Sequence, residues 1–420
     1  MSALQTELRM RGLDVLGGTG SEQQTLRSAG SALRTRDADD TFGRIQPYLA
    51  DFGITRVGNV TGLDRVGIPC HVAHKPMGTS LSNGSGKGLT PAASRISAVM
   101  EAIEQSYWEA APAVAVTSTA RRLASDGLKV VDCDAIPRMR HGLWNVDLEL
   151  DWSPMFDLVT GEEVWVPTEV IHVLLPSRRG APTFIMGSNG LASGNTLEEA
   201  ILSALNELIE RDANALHTLR GPDTPADTLD VAHLCAVVGD PMASLVETIE
   251  RADLQLDLVD HTSDLGVPTY NAFVHDLALT RSGAFGGLGT NLDPVVALCR
   301  AITEAVQSRT LIIAGARDDG FGSGRQAAML SSQHWLTPPA GALRHEIPAD
   351  RSTGSILGDV TLLVERLASA GMPRVLVHRY TRPDDLFQVV RVVVPGLEGY
   401  RFERYQPGPR GLAVLAEMAT

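Results

Sequence analysis

Apolar residues recur at helical spacing in five stretches, near residues 91–111, 196–216, 241–252, 294–314 and 359–371. A sixth helix is predicted near 41–51, within "TFGRIQPYLADFGITRV", followed by a strand near 54–60. Runs rich in β-branched residues predict further strands. These are "CHVAHKP", "EVWVPTEVIHVLLP", "LDLVDHTS", "TYNAFVHDLAL", "VLVHRYTR" and "FQVVRVVVPGL". Helices and strands mix without strict βαβ alternation, so the expected fold class is α+β with a largely antiparallel sheet. Residues 1–40 are rich in Gly, Ser and charge and are expected to form a flexible arm. Residues 41–420 carry no evident linker and are expected to form one domain. The closing stretch "YRFERYQPGPRGLAVLAEMAT" reads as a loop and then an apolar segment.

One element is written more than once. "SNGSGKGLTPAASRISAVMEAIE" (82–104) and "SNGLASGNTLEEAILSALNELIERDA" (188–213) align on S-N-G, a later glycine and threonine, and then S-A-x-x-E-x-I-E. Each reads as a glycine turn opening a helix, with two glutamates three apart on one face: Glu101 and Glu104, then Glu207 and Glu210. Thr196 and Glu199 form a predicted capping box. A weaker third copy, "GGLGTNLDPVVALCRAITEAVQSR" (286–309), puts Glu304 and Gln307 at the paired positions, with Asp293 as N-cap and Pro294 at the first helical position.

A glutamate pair on one helix is usually a solvated face, and GxG fragments alone are weak. Repetition changes the weighing. Gathered carboxylates repel unless divalent cations lie between them, and hard oxygen ligands favour Mg²⁺ bound with phosphates. Glycine turns that open helices offer N–H groups and a positive dipole end to phosphate oxygens. Lys87 and Arg309 add candidate phosphate charges. The constellation predicts an ATP–magnesium site without a P-loop. A di-iron site would want Glu-x-x-His pairs, and no His follows Glu101 or Glu207 by three. Gln307 and Arg309 are two apart, so on a regular helix they point to different sides.

The net charge of −14 argues against nucleic-acid binding through a broad basic surface. The four cysteines form no CxxC pair and are expected to be reduced core residues. No membrane span or signal peptide is read from the sequence, so a cytoplasmic protein is expected. His71 and His74 are weak candidates for a base toward a nucleophile. The basic "SRRG" at 177–180 reads as a surface loop.

The stretches "ITRVGNVTGLDRVGIP", "GSGKGLTPAASRISAVMEAIEQS", "SNGLASGNTLEEAILSALNELIERDA" and "GGLGTNLDPVVALCRAITEAVQSR", in this order, resemble the YcaO family from about residue 40 to about residue 400. The resemblance implies that family's nucleotide-binding fold, with residues 41–420 as its catalytic domain. It also implies ATP-dependent activation of a backbone amide in a ribosomally made peptide. A nucleophile adds to the amide carbon, the oxygen is phosphorylated, and phosphate leaves. A side-chain nucleophile gives an azoline, sulfide a thioamide, and the N-terminal amine a macroamidine. By motif position, Glu101, Glu104, Glu207 and Glu210 would hold Mg²⁺. Arg56, Lys87, Ser97, Asn195, Glu304, Gln307 and Arg309 would contact ATP or its metals.

Many azoline-forming members end in a proline-rich tail, whereas this sequence ends "LAVLAEMAT". The first 40 residues are short for a leader-peptide-binding domain. The resemblance therefore points to standalone members, or to members that act with a TfuA-type partner. A homodimer is expected. The competing reading is a non-catalytic YcaO-like scaffold that binds a peptide or partner, against which stand the four intact carboxylates.

Overall fold

The computed structural model describes residues 10–19, 25–26, 30–173, 182–276, 284–316, 340–399 and 405–419. The helices in chain order are α1 (Arg11–Leu16), α2 (Ala38–Ile45), α3 (Pro91–Glu109), α4 (Ala120–Ser125), α5 (Thr168–Ile171), α6 (Leu197–Leu219), α7 (Val231–Val238), α8 (Met242–Arg251), α9 (Pro294–Ala314), α10 (Ile356–Ser369) and α11 (Pro409–Met418). The strands are β1 (Arg56–Asn59), β2 (Cys70–His74), β3 (Asn83–Lys87), β4 (Val116–Ser118), β5 (Arg138–Met139), β6 (Leu150–Asp157), β7 (Glu163–Pro167), β8 (Leu191–Gly194), β9 (Ala226–Leu229), β10 (Gln255–Asp260), β11 (Thr269–His275), β12 (Ala284–Thr290), β13 (Ala340–Arg344), β14 (Leu376–Arg379), β15 (Gln388–Val393) and β16 (Tyr405–Gln406). The basic loop at 177–180 lies outside the described residues.

The chain forms two compact units, each discontinuous in sequence. The first comprises Met1–Gln24, Ser106–Leu219 and Thr353–Thr420, and the second Thr25–Gln105 and Arg220–Ser352. In the first unit a sheet runs β4-β6-β14-β15-β8, with β7 paired to β6. Trp152, Met155, Phe184 and Leu376 are fully buried in its core. α6 lies on β8 and β15. From the predicted arm, α1 is docked on this unit: Gly12 donates its N–H to the Leu158 carbonyl (3.0 Å), and Leu13 is buried.

The second unit holds a three-stranded sheet, β1-β2-β3, and a five-stranded one, β12-β11-β10-β9-β13. Among the described residues, every pairing between these strands is antiparallel except β13 with β9. Leu258, Tyr270, Ala272 and Val274 pack with Ala297, Ala301 and Ala305 of α9 in its core.

The glycine stretches read as turns are mostly strands. They escaped the pattern because glycines alternating with small polar residues carry no apolar period. What the glycines provide is a close approach of helix to strand. A Cβ built on Gly84 would stand 2.5 Å from both the Ala98 carbonyl oxygen and the Ala102 nitrogen, and on Gly86 2.1 Å from the Ser94 oxygen. In the third copy Gly287 meets the Ala301 oxygen (2.5 Å) and the Ala305 nitrogen (2.1 Å), and Gly289 meets the Ala297 oxygen (2.1 Å). These are the same positions on strand and helix. The second copy keeps a version of the contact, with Gly194 against the Ala200 nitrogen at 2.5 Å. Gly190 there does occupy a turn, with φ of +77°.

Helix starts follow the capping residues. Thr196 Oγ1 accepts the Glu199 N–H (3.2 Å) at α6, and Asp293 accepts the Val295 N–H (2.9 Å) at α9. Where backbone meets backbone, an added methyl cannot be absorbed by a rotamer change. Gly287→Ala is therefore expected to destabilise the protein by about 1–3 kcal/mol. Gly62→Ala, where no atom lies within 4 Å of the added Cβ, serves as control. Urea midpoints check this; equal midpoints for the two variants would mean that α9 does not sit this tightly on β12.

Candidate functional site

The close approach places the glutamates. In the second unit the Ser85 N–H donates to Glu101 Oε2 at 3.1 Å. At the equivalent place in the third copy, the Leu288 N–H donates to Glu304 Oε1 at 3.4 Å. Each strand thus orients the carboxylate of the helix lying on it. Glu104 follows one turn beyond Glu101, and Ser97 stands one turn before it; all three are half-buried. The first and third copies meet through charge: Lys87 Nζ lies 2.5 Å from Glu304 Oε2, both side chains about a fifth exposed. Such a charge-assisted bond is stronger than a surface pair because water competes less there.

α9 runs unbroken from Pro294 to Ala314, so Gln307 and Arg309 do diverge. Gln307 is buried one turn beyond Glu304, on the same helix face. Arg309 turns into the unit, with Nε 3.0 Å from Asp64 Oδ2 and Nη2 3.4 Å from Asp276 Oδ2. Arg65 pairs with the same Asp276 at 3.0 Å. Two arginines and two aspartates thus compensate one another, and the Arg309 guanidinium also faces the Phe285 ring at 5.5 Å. Arg56 is exposed on β1, opposite His74 in register.

The histidines of β2 are engaged. His71 Nδ1 lies 2.8 Å from Ser94 Oγ, and burial, then the Arg95 charge, lower its pKa. His74 Nδ1 lies 2.8 Å from Asn83 Oδ1. Cys70 is buried, and desolvation pushes its thiol up to about 11. All four cysteines are free thiols.

In the first unit α6 carries the second acid pair, Glu207 half-buried and Glu210 buried. Arg211 stands over both, with Nε 3.7 Å from Glu207 Oε1 and Nη2 3.6 Å from Glu210 Oε1. These distances are too long for hydrogen bonds, so the attraction is coulombic. Asn195 sits at the junction of β8 and α6, donating from N (2.9 Å) and Nδ2 (3.1 Å) to Glu199 Oε2.

The expected metal ligands are therefore divided, with Glu101 and Glu104 in one unit and Glu207 and Glu210 in the other. Among the described residues, no three His, Cys, Asp or Glu side chains form a metal-holding group. The donor set fits a hard cation: paired carboxylates with one oxygen held by a strand N–H, and no thiolate or imidazole in either pair.

The sequence reading missed Arg211, although its spacing of four from Glu207 on a helix was visible. It also missed Asp64 and Asp276, which no local pattern ties to Arg309. A further group in the first unit, His172, His378 and Arg391, gave no signal because its members come from α5, β14 and β15. Burial lowers the pKa of His172 to about 4, with His378 adding to the effect.

Among the described residues no helix is long and apolar enough to cross a membrane. A protein encoded in the tfuA 3' region of Rhizobium leguminosarum bv. trifolii is 36% identical over 372 residues, covering 85% of this chain and 87% of that protein. A solved heterocyclase in complex with substrate and cofactor superposes with a TM-score of 0.74 at 23% identity, over 96% of this chain and 57% of that one. YcaO from Methanopyrus kandleri, bound with AMPPCP and Mg²⁺, superposes with a TM-score of 0.66 at 22% identity, over 89% of this chain and 94% of that one. At these identities the two structures establish the fold. The family model of the ATP- and Mg²⁺-binding YcaO cyclodehydratases matches residues 85–398, a span holding both acid pairs, and the chain belongs to the YcaO family.

Proposed function

We infer that this protein uses ATP and Mg²⁺ to activate a backbone amide of a ribosomally synthesised peptide. The observation that carries the reading is the twice-intact acid pair, each on a helix laid against a glycine-bearing strand. Glu101 and Glu104, and Glu207 and Glu210, are the proposed magnesium ligands. Arg211 and Lys87 supply positive charge beside these carboxylates and beside Glu304. They are proposed to turn toward phosphate oxygens when nucleotide binds. Asn195, Glu304 and Gln307 line the strand–helix junctions and are proposed to orient the nucleotide. Arg309, spent on Asp64 and Asp276, is assigned the role of holding α9 in place rather than touching ATP.

When bound, ATP converts the amide oxygen into a phosphate leaving group after a nucleophile has added to the amide carbon. The chain's part is to position reactants and neutralise charge, the main demands of phosphoryl transfer. The relative encoded beside tfuA favours action with a TfuA-type partner, and with it the thioamide-forming reaction, in which sulfide is the nucleophile. Closure by a side chain to an azoline, or by the N-terminal amine to a macroamidine, is the alternative outcome of the same activation.

Glu207→Gln removes one metal-side charge with little change of shape. Calorimetry is expected to show ATP·Mg²⁺ binding weakened at least about tenfold, in line with the 1.5–3 kcal/mol of a hydrogen bond to a charged group. Unchanged affinity would remove Glu207 from the site.

The reaction is read by mass spectrometry of a precursor peptide incubated with protein, ATP and Mg²⁺, with and without sulfide and a TfuA-type partner. Oxygen replaced by sulfur, only when sulfide is present, is the expected result. Loss of one water without sulfide would assign the azoline or amidine reaction. No mass change and no phosphate release under any condition would make the chain a binding scaffold.

A further inference from the structure

We propose that His172, His378 and Arg391 form a receptor for a small anion, within the unit that carries Glu207 and Glu210. The proposal does not depend on the nucleotide reading. β14 and β15 are antiparallel neighbours, and His378 stands directly opposite Arg391. Tyr380 follows two residues after His378, on the same side of the strand. His172, at the end of α5, closes the group. Its ring centroid is 5.6 Å from that of His378 and 5.3 Å from that of Tyr380, and His378 and Tyr380 are 4.8 Å apart. Tyr107 packs on Tyr380 at 6.1 Å and on Phe387 at 6.4 Å, which makes one wall aromatic.

The polar inventory of this group does not balance. His172 is only 3% exposed, yet among the described residues neither ring nitrogen has a hydrogen-bond partner. The carbonyls of Ala110 and Trp108 lie near enough to favour a protonated ring, without reaching hydrogen-bond geometry. Arg391 is 4% exposed, and its Nη1 donates to the Gly187 carbonyl at 2.7 Å. Its Nε has no partner. The charge acting on it is that of the Glu207 carboxylate, which is not hydrogen-bonded to it. Tyr380 spends its hydroxyl on the Ile171 carbonyl. His378 directs Nδ1 to the Pro154 carbonyl at 3.3 Å, which leaves Nε2 as its other polar atom.

Buried donors without acceptors are rare because each costs roughly 1–3 kcal/mol. A buried guanidinium held by one carbonyl costs more. A water molecule would satisfy the nitrogens but leave the guanidinium without a hydrogen-bonded counter-charge. A cation would be repelled by Arg391. A small anion accepts from Arg391 Nε and from an imidazole N–H, balances the charge, and favours protonation of the imidazoles it touches. The shared chemistry is that of a compact monoanion, either inorganic or the carboxylate of a peptide.

The test uses the full chain and chloride as the reporter ion. Chloride NMR lines should broaden saturably with the wild-type protein. The effect should weaken at least about tenfold in Arg391→Gln, the loss expected for one charge-assisted hydrogen bond. His172→Phe keeps the ring packing and removes both nitrogens, and it should weaken the broadening as well. It also decides the question if Arg391→Gln does not fold. Displacement of chloride by hydrosulfide but not formate assigns an inorganic anion, and the reverse assigns a carboxylate. Crystals grown in sodium bromide should show an anomalous peak beside Arg391 Nε. Ordinary water there, or equal broadening in wild type and His172→Phe, would overturn the proposal.

Discussion

Everything at the candidate site follows from how closely a helix can lie on a strand. A side chain on the facing strand position would hold the helix off by the thickness of a Cβ layer. Glycine at Gly84, Gly86, Gly287 and Gly289 removes that layer, and the opposing surface is alanine: Ala98, Ala102, Ala301 and Ala305, all fully buried. Glycine in a strand carries a cost in chain entropy and in lost packing. Here it is offset by helix–strand contact close enough for Glu101 and Glu304 to reach a strand N–H. Larger residues at these positions would move the carboxylates away from the donors that orient them.

The same closeness dictates where counter-charges are needed. Glu304 is drawn into a half-buried position and meets Lys87 from the neighbouring copy. The third copy then replaces the second acid of the pair by Gln307, which is buried. A carboxylate at that depth beside Glu304 would add like-charge repulsion to a large desolvation cost, whereas an amide adds no repulsion and a smaller desolvation cost. Arg309 follows the same logic from the other side. A guanidinium that enters the unit is tolerated because Asp64 and Asp276 enter with it.

Much of this was legible in the sequence, for identifiable reasons. Long amphipathic helices declare themselves by period, so α3 and α6 were found with their acid pairs, α9 with Glu304 and Gln307, and two of the helix starts by the caps at Thr196 and Asp293. The α+β class and the antiparallel sheet followed from strands that do not alternate with helices. The glycine strands did not follow, since β3 and β12 owe their conformation to pairing with β2 and β11 rather than to an apolar alternation. α11 was read as a loop and an apolar run because Pro407 precedes the helix and Pro409 opens it, and both resemble loop punctuation. Partnerships such as Arg309 with Asp64, 245 residues apart, leave no trace in a single sequence.

α6 shows how a helix that carries an acid pair is held in place. Near its start, Glu198 accepts from the Thr19 N–H (2.9 Å), and Glu199 is fully buried while accepting from Asn195. Past its middle, Asp212 is fully buried, gripped by Arg410 Nε and Nη2, each at 2.9 Å, and by the Glu398 N–H at 2.7 Å. Glu398 in turn takes the N–H groups of Gly408 (2.7 Å) and Gly411 (3.0 Å), which ties the start of α11 to the same helix. Gly411 has to be glycine for this, because a Cβ there would stand 2.5 Å from Glu398 Oε2. Buried carboxylates held by several donors fix rotation as well as position, since turning the helix would strand a charge without partners. With α6 held in this way at Glu198, Glu199 and Asp212, Glu207 and Glu210 are carried between fixed points, and Arg211 adds a coulombic attraction to both.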